Sequence, residues 1–111
     1  MHIKPLSVVV GPTTYVVETS AAAVADYEAA SDTGVLGFTN HITTRIVLSP
    51  NMSDTMHRVI LLHEVLHAIL WQNGLAEELG SEGEEKVVSR TAPPLLDTLL
   101  RNPKLRAALG I

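Results

Sequence analysis

The sequence predicts an α+β domain in which a short mixed or antiparallel sheet packs on a central helix and further helices follow it. Three observations lead to this fold class. β-branched residues concentrate in the first half of the chain, a long apolar segment with helix-capping residues at both ends occupies the middle, and the last part carries apolar residues at helical spacing. With 111 residues and a modest core, the chain is expected to fold as one domain, residues 1–111.

Three segments rich in β-branched residues, each ended by turn-forming residues, are predicted as strands: residues 6–10, 13–19 and 43–48. Only Gly11-Pro12 separates the first two strands, which could form a hairpin. The alanine-rich residues 21–30 predict either a short helix or an irregular arm, and residues 31–37 predict a loop.

Residues 54–72 are predicted to form the central helix, about five turns long. Ser53 or Asp54 is a suitable N-cap, because its side-chain oxygen can accept a backbone N–H of the first turn. Asn73-Gly74 is a typical helix stop. Most of the intervening residues are apolar, so we expect this helix to be buried in the core.

After the central helix, residues 75–83 predict a loop, and a second helix is expected to begin near residues 82–84. Pro93-Pro94 is expected to break or sharply kink this helix, because proline has no N–H and its ring clashes with the preceding turn. Further helical stretches are predicted at 94–101 and 103–109.

Composition excludes several kinds of site. The chain has no cysteine, which excludes disulfides, thiolate metal sites and cysteine nucleophiles, and leaves histidines and carboxylates as the strong metal ligands. The formal net charge is -4 without a cluster of Lys or Arg, so nucleic acid is not expected as a partner. The apolar run at residues 6–10 is too short for a signal peptide or a membrane span, so we expect a cytoplasmic protein without membrane association.

The most specific motif is His-Glu-Val-Leu-His at residues 63–67. His63 and His67 are four residues apart, so on a helix they project from one face about one turn apart and can bind one metal ion. Glu64 beside them can take a proton from a water molecule that the ion has acidified. Two histidines and a glutamate in a buried helix are costly unless they are paired or bind metal. The spacing therefore predicts a zinc hydrolase.

A catalytic zinc ion commonly has three protein ligands and a water molecule, so a third ligand is needed. A third histidine six residues after the motif is excluded, because that position is Asn73. The remaining candidates are Glu82, Glu84 and Glu85. Glu85 is preferred because it shares a helical face with apolar residues that a core would bury, and Glu84 is the alternative. Both glutamates could instead be solvated acids in the first turn of a helix.

Residues 45–109 resemble the small zinc metallopeptidase domains often encoded by bacteriophages and prophages. Four segments carry the resemblance: Ile46-Val47-Leu48, the motif region 63–69, residues 84–88 and Asn102-Pro103. The chain is similar, more distantly, to thermolysin-like glutamate zincins and to the phage-repressor-antagonist peptidases. This resemblance implies a zincin-like fold with bound Zn2+.

In those families the third metal ligand is a glutamate on the following helix. The resemblance therefore implies that His63 and His67 are ligands, that Glu64 is the general base, and that Glu84 or Glu85 completes the ligand set. The chain departs from the thermolysin-like pattern at Ser89, where that pattern has an aspartate that orients a ligand histidine. It also has no Tyr or His after residue 85 that could stabilise an oxyanion.

The expected function is a zinc-dependent peptidase that acts on a peptide or protein substrate. The alternative is a non-catalytic protein, stabilised by zinc, that serves in phage assembly or binds a host factor. Residues 43–48, if they formed an exposed sheet edge, could bind an extended peptide by strand addition. His41 could stabilise an oxyanion or be an ordinary loop histidine, and Trp71 is expected to be a packing residue. The oligomeric state does not follow from the sequence.

Overall fold

The structure is a computed structural model that describes residues 6–111. Four strands form a mixed sheet: β1 (Leu6–Val10), β2 (Thr13–Thr19), β3 (Gly37–Asn40) and β4 (Arg45–Leu48). Their order across the sheet is β1-β2-β4-β3. The β1–β2 and β3–β4 pairs are antiparallel, whereas β2 and β4 are parallel. A helix, α1 (Ala21–Ser31), makes the crossover that a parallel pair requires, so the helical alternative for residues 21–30 is confirmed.

Three helices follow the sheet: α2 (Asp54–Gln72), α3 (Leu75–Arg101) and α4 (Pro103–Leu109). The α+β fold class, with a central motif helix and C-terminal helices, is thereby confirmed. The bounds of α2 are those predicted, because the Oγ of Ser53 accepts the N–H of Met56 at 3.2 Å and Gly74 ends the region in the left-handed conformation (φ 83). In residues 6–111, no helix is long and apolar enough to cross a membrane.

The core lies between α2 and one face of the sheet. Val17 and Ile46 are partners in the parallel register and both are 0% exposed. Tyr15, two residues before Val17 and thus on the same face, is also fully buried. Side chains of α2, Ile60 and Val65 among them, pack against this face. This packing fixes α2 against the sheet, and with it the residues of the motif.

The predicted position of the edge strand was wrong. Residues 43–48 were expected as a possible exposed edge, but β4 begins at Arg45 and lies inside the sheet, hydrogen-bonded to both β2 and β3. The edge strand that contacts Glu64 of the motif is β3, part of a region for which no strand was predicted. Gly37 and Asn40 at its ends are poor strand formers, so β3 owes its structure to pairing with β4 rather than to intrinsic propensity.

Two predictions for α3 were also wrong. Residues 75–83 are helical rather than a loop, apart from a break at Gly80, whose φ of 72° and ψ of 166° are non-helical. Pro93-Pro94 does not interrupt the helix. The two carbonyls that lose a donor belong to Ser89 and Arg90, which are exposed, so water can replace the missing backbone bonds.

Candidate metal centre

The two histidines of the motif converge on one point. The Nε2 atoms of His63 and His67 are 3.2 Å apart, and the ring centroids are 4.9 Å apart at an interplanar angle of 64°. Both side chains are largely buried, with 16% and 14% exposure. The helical spacing of four residues therefore places both imidazoles at a common site.

Glu85 reaches this site from α3. Its Oε1 lies 3.1 Å from Nε2 of His63, and its Oε2 lies 2.9 Å from Nε2 of His67. Val88 and Ala92, which follow Glu85 on the same helical face, are 0% exposed. Burial of these two residues against the rest of the protein turns Glu85 inward, although its side chain remains 55% exposed.

The three side chains fit the requirements of a bound divalent metal ion. Their ligand atoms all lie within 4.8 Å of one another, and His63, His67 and Glu85 are the group of this kind in residues 6–111. Donor atoms about 2.0 Å from a tetrahedral zinc ion are about 3.3 Å apart, close to the spacings observed here. Two imidazoles and a carboxylate are also the ligands of many catalytic zinc sites. The chain thus holds a possible metal site.

Glu84 has a different position from Glu85. Its Oε2 accepts a hydrogen bond from Nδ1 of His67 at 2.9 Å, on the opposite side of the ring from the three converging donor atoms. Glu84 therefore does not belong to the ligand group. It holds the proton of His67 on Nδ1 and leaves the lone pair of Nε2 free for a metal, a role common for carboxylates next to metal-binding histidines.

Ser89, which replaces an aspartate of the thermolysin-like pattern, supports the site in another way. Its Oγ donates a hydrogen bond to Oε1 of Glu85 at 2.9 Å. Ser89 therefore orients the carboxylate of Glu85, while Glu84 orients His67. Glu82, the third candidate of the sequence analysis, is 89% exposed and lies near Lys86, 3.9 Å away, outside the site.

Glu64 is the buried carboxylate of the site, with 8% exposure. Its Oε2 is 4.0 Å from Nε2 of His63, and its Oε1 accepts a hydrogen bond from Oγ1 of Thr39 on β3 at 2.9 Å. Burial raises the pKa of Glu64, and the hydrogen bond from Thr39 partly opposes this rise. Burial likewise lowers the pKa of His63. Both shifts favour the neutral form of these groups.

His41 is a residue of the site whose position could not be derived from the sequence. It lies in the β3–β4 turn, its Nδ1 is 3.2 Å from the hydroxyl of Tyr15, and its ring stacks on Trp71 at a centroid distance of 4.4 Å. Burial lowers the pKa of His41. The prediction that Trp71 packs in the core was wrong, because Trp71 is 53% exposed and covers His41 instead.

The site opens into a cleft of about 640 Å³ that runs along the β3 edge. Its polar lining includes six residues of the site: His41, His63, Glu64, His67, Glu84 and Glu85. The lining also includes Tyr27 and Phe38, whose rings stack at a centroid distance of 4.4 Å. The three candidate ligands and residues 37–39 of β3 therefore line one cleft.

His57, on α2, does not take part in this cleft. It is 1% exposed, and neither ring nitrogen has a hydrogen-bond partner among residues 6–111. It lies seven residues before Glu64, which places it about two helical turns away from the site on the same face.

One family model matches this chain: the model described as Peptidase_M78, IrrE N-terminal-like domain, matches residues 26–89. The match covers more than half of the 111 residues and includes β3, β4, α2 and the part of α3 that carries Glu84 and Glu85. No curated protein and no solved structure matches the chain.

Proposed function

Because the chain belongs to the Peptidase_M78 family of IrrE N-terminal-like domains, we propose that it is a zinc-dependent peptidase in which Glu64 is the general base. One observation carries this proposal. Two imidazole nitrogens and a carboxylate oxygen converge within 4.8 Å in a cleft that also contains a separate, buried carboxylate. A ligand set together with an additional base is what hydrolysis needs, whereas a purely structural metal site needs only the ligands.

Zinc is the metal that this donor set favours. The site offers two neutral imidazoles and one carboxylate, a combination typical of catalytic zinc, whereas Mg2+ and Ca2+ prefer sites built from oxygen. His63, His67 and Glu85 would hold the ion. When bound there, the ion would acidify a water molecule and polarise the carbonyl group of the peptide.

The residues of the chain then account for the proton transfers. Glu64 removes one proton from the attacking water, whose oxygen bonds to the carbonyl carbon while the π electrons of the carbonyl move to its oxygen. When the C–N bond breaks, Glu64 returns this proton to the leaving amine. The electrons of the oxyanion re-form the carbonyl as this bond breaks, and the products are one carboxylic acid, which ionises at neutral pH, and one amine. Burial raises the pKa of Glu64, which makes its carboxylate a stronger base for the removal of the water proton.

The unpaired edge of β3 is the element that would bind the substrate. Among residues 6–111, β3 pairs with β4 on one side only, so its other side can accept an extended peptide as an additional strand. Thr39, in the middle of β3, contacts Glu64, so a peptide added along this strand passes beside the general base. This geometry favours peptides or unfolded protein segments over small amides.

The experiment compares the parent protein with Glu64→Gln. Gln has nearly the same shape and can accept the hydrogen bond of Thr39, but it cannot take a proton at neutral pH. We expect one zinc ion per chain in both proteins by mass spectrometry, cleavage of a peptide library by the parent, and loss of cleavage in the variant. Glu82→Gln, at an 89% exposed position, is the matched control and should retain full activity.

A non-catalytic protein stabilised by zinc is the alternative function, and the same experiment tests it. This alternative would gain support if the parent bound one zinc ion but cleaved no peptide of the library. A parent that bound no zinc after purification in metal-containing buffer would contradict both functions.

A further inference from the structure

His41 lies in a turn whose backbone is held in one conformation. The side-chain oxygen of Asn40, the last residue of β3, accepts the backbone N–H groups of Ile42 and Thr43, both at 3.0 Å. Thr44 closes the turn in the left-handed region, with a φ of 54°. These contacts fix the Cα of His41 relative to β3, the strand beside which a substrate would lie.

Two aromatic residues from other elements fix the ring of His41. Tyr15 reaches Nδ1 from β2 at 3.2 Å, and Trp71 stacks on the ring from α2 with an interplanar angle of 2°. Trp71 lies four residues after His67, so the two side chains are neighbours on one face of α2. The stacking therefore places His41 beside His67, in the cleft that contains the metal-binding side chains.

We assign the hydroxyl of Tyr15 as the donor in its contact with His41, because a buried O–H group needs an acceptor for its proton. Tyr15 is 0% exposed, and His41 is the hydrogen-bond partner of its hydroxyl among residues 6–111. When this buried hydroxyl donates to Nδ1, the proton of the neutral ring is on Nε2. Nε2 makes no hydrogen bond to any of residues 6–111, so its N–H is free for a ligand in the cleft.

We propose that His41 is a further catalytic residue whose Nε2–H donates a hydrogen bond to the oxyanion formed from the substrate carbonyl, and that Tyr15 and Trp71 position its ring. The proposal rests on the proposed peptidase function. His41 is not a member of the group of converging ligand atoms, so it lies outside the ligand set yet within the same cleft. A residue that donates to an oxyanion needs a position in the cleft but outside the ligand set, because it must face the substrate oxygen and not bind the ion.

Kinetic measurements on His41→Ala test the proposal. Loss of one oxyanion donor lowers kcat about 100-fold. We expect this loss in His41→Ala, with KM changed less than threefold and one zinc ion still bound per chain. Tyr15→Phe, which removes only the hydroxyl, should show a smaller loss of kcat. Ile42→Ala, at the adjacent and 92% exposed position of the same turn, is the matched control and should behave like the parent.

Two further measurements do not depend on turnover. Nitrogen-15 NMR of the metal-free parent should show the Nε2–H form of His41, and Tyr15→Phe should shift the ring towards a mixture of both forms. Calorimetry should show that a phosphinic peptide, whose tetrahedral oxygens resemble the oxyanion, binds zinc-loaded His41→Ala about 100-fold more weakly than the parent. The NMR result does not require His41→Ala to fold.

The outcomes separate this inference from the function on which it rests. If the parent cleaves peptides and His41→Ala retains its kcat and its affinity for the phosphinic peptide, the role of His41 is wrong and the peptidase function stands. A proton on Nδ1 of His41 in the parent would also overturn the proposed role of His41. If the parent neither cleaves peptides nor binds the phosphinic peptide, both the function and the role of His41 are wrong.

Discussion

Glu84 accepts a hydrogen bond from Nδ1 of His67 at 2.9 Å, while Nε2 of the same ring lies 2.9 Å from Glu85. One imidazole is thus held between two adjacent residues of α3 that have different roles. The bond to Glu84 keeps the lone pair of Nε2 directed at the candidate metal site, and it would make the ring a better ligand for a bound ion. Two consecutive glutamates can serve one site because His67 has nitrogens on two sides of its ring.

Removal of Glu84 should weaken metal binding without abolishing it. Loss of a partner that orients a ligand histidine typically reduces metal affinity about 10- to 100-fold. We expect a loss of this size for Glu84→Ala, a smaller loss for Glu84→Gln, which can still accept the bond, and a larger loss for Glu85→Ala. Competition with a chromophoric zinc chelator measures these affinities, and Glu82→Ala is the control. Equal losses for Glu84→Ala and Glu85→Ala would contradict the division of roles.

The hydroxyl of Thr39 should set the acid limit of the reaction. Its hydrogen bond to Glu64 lowers the pKa of that carboxyl and opposes the effect of burial. Thr39→Val removes the donor at nearly constant volume, so the pKa of Glu64 should rise further. The acid limb of kcat/KM against pH should then move to higher pH. A limb that stays in place, or moves to lower pH, would show that Thr39 does not tune Glu64.

Glu64 should also make the metal-free protein less stable as the pH rises. The folded state raises the pKa of Glu64 above its ordinary value of 4.5, so its contribution to stability is fully present below pH 4.5 and is lost as the pH rises through the raised pKa. Gln cannot ionise and avoids this loss. In the presence of a chelator, Glu64→Gln should therefore melt at a higher temperature than the parent at neutral pH.

The difference between these two proteins should disappear when thermal unfolding is measured near pH 4. If Glu64→Gln melted at or below the Tm of the metal-free parent at neutral pH, the buried carboxylate would not be the source of the instability.

Gly80 should be essential for the direction that α3 takes after the break at this residue. Its φ of 72° and ψ of 166° are open to glycine and strained for any residue with a Cβ. We expect Gly80→Ala to lower the free energy of unfolding by about 1 to 3 kcal/mol and to weaken zinc binding, because Glu84 and Glu85 lie just after the break.

Gly83 provides the matched control for that change. It lies three residues further along α3, and a Cβ there would meet the nearest atom, of Leu79, at an ordinary 3.4 Å. Gly83→Ala should leave stability unchanged or raise it by about 0.5 to 1 kcal/mol, because alanine favours helix. Denaturant unfolding of both variants measures the contrast. Similar effects of the two substitutions would mean that the break at Gly80 is not required.

The parts of the fold that could be predicted are those that depend on local interactions. The bounds of α2 follow from a side-chain cap at Ser53 and a left-handed glycine at Gly74, and both signals are local. The spacing of His63 and His67 is likewise a property of a single helix. Such features are visible in the sequence because no distant residue is needed to produce them.

The parts that were missed depend on contacts between distant segments. β3 consists of Gly37-Phe38-Thr39-Asn40, a weak strand sequence that is ordered by β4. The position of His41 depends on Tyr15 and Trp71, which are 26 and 30 residues away in the chain. The helix continues through Pro93-Pro94 because both residues face solvent, which the sequence alone does not reveal. In each case tertiary context overrides local propensity.

Because β2 lies inside the sheet, the segment that matches the family model cannot be separated from the residues that precede it. Residues 26–89 match the family model, yet β2 precedes them and lies inside the sheet, where it bonds to β4 and supplies the fully buried Tyr15 and Val17. A fragment cut at the start of the match would expose one whole side of β4 and an apolar face of α2. The N-terminal hairpin is thus an integral part of the folding unit, and transplanting the matched segment into another protein would require an equivalent strand from the host.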